Sequence, residues 1–154
     1  QDLGAVNYII TIPDKVDFGT LTQPETDIDS FKDLNFTVTA TKIENLSDTD
    51  YVIIRVKNEG ATVDDSAFYL TQKTSPNTKL TYDMYDRKTI VDSDIPLNKG
   101  RMVNPDGYYL GDFQNTGDSK TGTLRLNQKQ LYGKDIAEIA GDYSGTIVFT
   151  SSII

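Results

Sequence analysis

The sequence predicts an all-β fold: a two-sheet antiparallel β-sandwich with immunoglobulin-like Greek-key connections and at most one short helix. Three observations lead there. Apolar and polar residues alternate in short runs, clusters of Asp, Asn, Gly and Pro separate the runs, and a 3.6-residue apolar period is almost absent. A strand with one apolar face needs an opposing layer, and stacking two sheets supplies it. The same pattern leaves a jelly roll or a partly closed barrel open.

The first run, residues 6–12, places Val6, Tyr8, Ile10 and Ile12 on one face, and Pro13 with Asp14 ends it by removing a ladder donor. A short piece at residues 16–18 stops at Gly19. After the polar loop 23–27, Leu34, Phe36, Val38 and Ala40 alternate with Asn35, Thr37, Thr39 and Thr41, the clearest half-buried strand in the chain. Turn chemistry over 45–50 leads to residues 51–57, with Val52, Ile54 and Val56 on one face and Tyr51, Ile53, Arg55 and Lys57 on the other. Asn58-Glu59-Gly60 closes that run.

Further strands are expected at 67–72, 80–85, 108–113 and 122–127, where Leu124 and Leu126 share a face. The helical candidate is 128–139, in which Leu131, Asp135 and Ile139 are four residues apart and Gly133 weakens the pattern. The last strand, 143–151, alternates Tyr143, Gly145, Ile147 and Phe149 against Ser144, Thr146, Val148 and Thr150. No repeat, low-complexity tract or linker divides the chain, so residues 1–154 are expected to form a single β-sandwich domain.

With 37% hydrophobic and 25% charged residues, the chain has the composition of a folded globular protein. A net charge of −8 without a Lys/Arg cluster opposes binding to nucleic acid or to an anionic bilayer. The apolar runs fall far short of the ~20 residues that span a membrane, so no membrane insertion is expected. There is no cysteine, which excludes disulfides and thiolate chemistry. The chain begins at Gln1 without a methionine, as a processed exported chain or a trimmed one does, and residues 151–154 read as an edge at which a native strand continues or ends.

The chemistry available is narrow. Without His or Cys there is no Ser-His-Asp triad, no Cys-His pair and none of the usual zinc or haem ligands. Most acids lie in turns of solvated type, so a carboxylate pair for glycoside hydrolysis is not indicated and the chain is read as not an enzyme. Oxygen ligands gather in two loops, Asp92, Asp94 and Asn98 in one, Asn104, Asp106 and Asp112 in and beside the other, as they do at calcium sites. The spacing matches no EF-hand, and the same residues build plain turns. Calcium is therefore the one cofactor that the sequence raises.

Nine tyrosines are present and no tryptophan. Tyr82, Tyr85, Tyr108 and Tyr109 are the candidate binding surface, for stacking on a sugar or contact with a protein partner; half-buried strand residues with wet hydroxyls explain them as well. A groove lined by several tyrosines on one sheet favours a glycan, and flat polar faces favour a structural role.

Residues 10–19 (ITIPDKVDFG) and 140–150 (AGDYSGTIVFT) resemble the first and last strands of β-sandwich domains in exported cell-surface proteins of Gram-positive type, and the closing run also resembles that of bacterial fimbrial subunits. In the closing run a glycine allows a tight entry, Tyr143 can pack its ring while its hydroxyl caps backbone at the corner, and Gly145 permits close approach of the sheets. The resemblance implies a structural or adhesive module of a cell-surface, pilus or fimbrial protein, non-catalytic, extracellular at the bacterial surface. Its partners would be a protein or glycan ligand, or neighbouring domains or subunits. The alternative is a secreted carbohydrate-binding module, possibly calcium-dependent.

Such surface domains often carry a Lys–Asn isopeptide bond. Lys15 could supply the amine, but residues 143–154 hold neither Asn nor Gln, so no crosslink is expected. Thioester chemistry needs a cysteine, and no LPxTG motif is present. Fimbrial subunits assembled by chaperones lend an N-terminal strand to a neighbour. Residues 6–12 could do so, but pairing within their own domain is expected, with the last strand leaving no gap.

Overall fold

A computed structural model describes residues 4–13 and 17–154. The expected piece at 16–18 and the candidate amine of Lys15 fall wholly or partly outside the described residues. Nine strands form among the described residues, β1 (Asn7–Thr11), β2 (Phe31–Glu44), β3 (Val52–Asn58), β4 (Phe68–Gln72), β5 (Lys79–Tyr85), β6 (Tyr108–Phe113), β7 (Ser119–Asn127), β8 (Tyr143–Ser144) and β9 (Ile147–Ile153). All described pairings are antiparallel, in a six-stranded sheet ordered β1-β2-β7-β5-β4-β8 and a three-stranded sheet ordered β6-β3-β9. The chain crosses between the sheets after β2, β3, β5, β6 and β8, the crossing habit of a Greek-key β-sandwich.

Period-2 alternation decides what the sheets enclose. Phe36, Val38 and Ala40 of β2 and Val52, Ile54 and Val56 of β3 point inwards, while Thr37 and Thr41 stay exposed. Leu80, Tyr82 and Met84 of β5, and Leu124 and Leu126 of β7, complete one contiguous cluster with Phe68, Leu110, Phe113 and Met102. Ile53, on the opposite face of β3, is buried as well.

Two expected elements are divided. The helix over 128–139 resolves into a 3₁₀ turn, Gln128–Leu131, and one α-helical turn, α1 (Ile136–Ile139). Gly133 between them has φ +72°, in the left-handed region where glycine is favoured, and that ends the first turn. Asn127 caps the 3₁₀ turn with its side-chain oxygen on the Lys129 N–H at 3.1 Å.

The last strand is likewise broken. β8 pairs with β4 through Ser144↔Thr71 and Tyr143↔Gln72, and β9 then pairs with β3 in the opposite sheet. At the crossing point Gly145 lies so close to Tyr69 that a Cβ would fall 2.3 Å from its carbonyl oxygen. Only glycine fits there. Tyr143 donates its hydroxyl to the Ile139 carbonyl at 2.8 Å and so ties α1 to the corner.

Candidate binding groove at the open edge

Four strands have an outer edge that is unpaired among the described residues: β1, β8, β6 and β9. Three of them are blunted. β1 has five residues and a register shift between Ile9 and Ile10; β8 has two residues; β6 carries Asp112 and faces a register shift in β3 between Ile54 and Arg55. β9 has none of these features. Its sequence, IVFTSSI, runs for seven residues with no charge, no proline and an unbroken register on β3. Such an edge is a template for another strand.

Inside that edge, Ile147 and Phe149 are packed against the core and only partly covered. Phe149 meets Phe36 edge-on, with ring centroids 6.4 Å apart. Beside them opens a groove of about 910 Å³ whose apolar lining includes Phe18, Leu70, Tyr82, Leu131, Ile139, Ile147 and Phe149. Towards the Tyr51 end of β3 the same seam is closed, where β1 approaches β9 and Tyr8 meets Ser151, hydroxyl to hydroxyl, at 2.9 Å.

Residues 17–23 form the far wall of the groove. Phe18 inserts into the core against Tyr82, with ring centroids 5.7 Å apart. Polar tethers hold the segment: Asp17 accepts from the Gly19 N–H at 2.7 Å, Lys32 donates to the Thr20 carbonyl, and Thr22 N–H donates to buried Gln128 at 2.6 Å. Gln23 donates to the Leu131 and Lys134 carbonyls, 2.8 Å each. The 3₁₀ turn and the residues just after it therefore serve as a bracket that positions this wall.

The tyrosines singled out in the sequence do not share one surface. Tyr82 is in the core, 4% exposed and stacked on Phe68 at 5.4 Å; burial pushes its hydroxyl pKa up. Tyr85 and Tyr108 are also buried, and Tyr108 donates to the Ser66 and Gly100 carbonyls. Tyr109 alone of the four is exposed, at 49%, and its hydroxyl donates to Asp112; that bond first, and then desolvation, pushes its pKa up to about 12.

The oxygen-rich loops hold hydrogen bonds of their own. Asp94 accepts from Arg87 Nη1 and the Val91 N–H, both at 2.8 Å, and Asn98 accepts from the Met84 N–H while donating to Asp83. Asn104 accepts from the Asp106 N–H at 2.9 Å, a local turn bond, Asp112 accepts from Tyr109, and Asp92 stands exposed. Among the described residues no three His, Cys, Asp or Glu side chains are grouped to hold a metal ion. No helix among them is long and apolar enough to cross a membrane.

Of the groove, sequence reasoning singled out only Tyr82 as a binding residue. The signal for the rest was available: residues 143–154 contain no charged side chain in a chain of net charge −8. What the sequence did not announce is that this uncharged run forms an outer edge.

No protein-family model and no curated protein matches the chain. Its fold is similar to that of a chain in a chaperone–tip adhesin complex of CFA/I fimbriae biogenesis, with a TM-score of 0.58 and 15% identity. The match covers 95% of this chain and 41% of the other, so this chain spans less than half of that neighbour's length.

Proposed function

We propose that the chain is a non-catalytic structural module of a bacterial surface or fimbrial assembly, and that it works by accepting an extended segment of a partner protein along β9. The observation that carries this reading is the unprotected β9 edge opening onto a groove in which Ile147 and Phe149 are only partly covered. Strand addition supplies main-chain hydrogen bonds to such an edge, and alternate side chains of the added strand fill the space between the sheets. The likeness in fold to a chain of a fimbrial chaperone–adhesin complex supports the same setting at the bacterial surface. β1 pairs with β2 of its own chain, which supports reading this domain as the acceptor of a strand and not as the donor of β1.

The test is a photo-crosslinking residue at Thr150, on β9, in the producing cell. A covalent adduct with a partner chain in sheared surface material is expected. Finding the chain only inside the cell, or only as an uncrosslinked monomer at the surface, overturns the reading.

A further inference from the structure

Resting on the strand-acceptor reading, we propose that Tyr82 is a specificity-determining residue of the groove. The strand that fills it carries a hydroxyl or carboxamide side chain where it docks over Tyr82, and uncharged side chains along the rest of its buried face.

Tyr82 is 4% exposed and lines the groove floor, yet its hydroxyl makes no hydrogen bond to any described residue. No fully enclosed side-chain oxygen or nitrogen lacks a partner in the described structure. The Tyr82 hydroxyl is therefore not fully enclosed, and the groove that Tyr82 lines is the open space from which the proposal has it satisfied.

Its ring is fixed between Phe68, at 5.4 Å, and Phe18, at 5.7 Å, so it cannot turn towards solvent without opening the core. The contrast with Tyr143 and Tyr108 is direct, since both hydroxyls donate to carbonyls of this chain. The groove that Tyr82 lines also has apolar groups in its wall, among them Leu70, Leu131, Ile139 and Phe149. An occupant that covered the groove with aliphatic side chains alone would seal a polar group without a partner, which is unfavourable. One hydroxyl or carboxamide at that depth removes the cost.

Charge complementarity defines the remainder of the occupant. Tyr143 to Ile154 offers no charged side chain along β9, and the charged residues of the groove lining, Asp17, Lys73 and Asp142, are all exposed, so a charged residue on the buried face of an added strand would lose water without gaining a buried counter-charge.

The experiment tethers a strand of alternating Thr and Val after Ile154 through a flexible Gly/Ser linker, with Val on the inward face. Each inward Val is then replaced by Thr, in the Tyr82 chain and in Tyr82→Phe. The tethered strand is expected to raise the melting temperature and to protect β9 amides from exchange. At one inward position Thr is expected to add about 3 °C in the Tyr82 chain and to lose that gain in Tyr82→Phe. If the strand stabilises both chains but Thr lowers the melting temperature equally at every position, the role of Tyr82 is overturned and strand acceptance stands. If no tethered strand raises the melting temperature or protects β9, strand acceptance fails and this inference with it.

Discussion

The Tyr8 and Ser151 hydroxyls lie 2.9 Å apart and join β1 of one sheet to β9 of the other across 143 positions of sequence. This bond marks where the seam between the two edges is closed; beyond it, at Phe149 and Ile147, the seam opens into the groove. Tyr8→Phe is expected to cost about 0.5–1 kcal/mol, since the pair is partly exposed. Amide exchange should speed up in β1 and leave β3 unchanged. Equal acceleration in both strands would show that the bond has no local role at the seam.

Gly145 governs the sheet change of the last strand. Gly145→Ala puts a Cβ 2.3 Å from the Tyr69 carbonyl oxygen, and a loss of about 2–3 kcal/mol is expected in denaturant unfolding. Gly100→Ala, with nothing within 4 Å of its Cβ, is the control and should be nearly silent. Comparable stability of the two variants would mean that the crossing is looser than its geometry.

Asp118 closes the turn between β6 and β7 by accepting from the Gln114 and Asn115 N–H groups, 2.9 Å each. These bonds, Gln114 first, hold its carboxyl below the usual value of 3.8, against the small opposing effect of desolvation. A carboxyl with a lowered folded pKa stabilises the fold above its unfolded pKa, and that contribution disappears as pH falls through the folded value. Asp118→Ala should therefore cost about 1 kcal/mol at neutral pH, and that cost should shrink as the pH falls through the lowered folded value. A cost independent of pH would assign the effect to packing.

Tyr109 donates to Asp112 and its pKa is pushed up to about 12. In Asp112→Asn the hydrogen bond to an anion is lost, and ultraviolet titration should show one tyrosine moving down towards 10. No change in the titration curve would contradict the bond.

Asp94 and Asn98 spend their oxygens within the chain. Adding millimolar Ca²⁺ to chelator-stripped protein is accordingly expected to leave the melting temperature unchanged. A rise on calcium addition would show that the loops rearrange around the ion.

Local pattern alone determined much of this protein. Alternation in 34–41 specifies which face of β2 is buried, because a one-residue slip would move Phe36, Val38 and Ala40 into water. The absence of His and Cys removes most catalytic chemistry without reference to any coordinates. Gly133 was visible as a weak point in a helix and Gly145 as a place of close sheet approach, but neither as a complete break, since what breaks the strand is the Tyr69 carbonyl brought in from β4.

Only the tertiary structure decided which strands became edges. Composition shows that Tyr143 to Ile154 is uncharged, but whether that run sits in the middle of a sheet or at its border depends on pairing between distant segments, which no local period encodes. The fate of Tyr82 has the same origin: alternation turns it inwards, and the groove left beside β9 leaves its hydroxyl open to a partner.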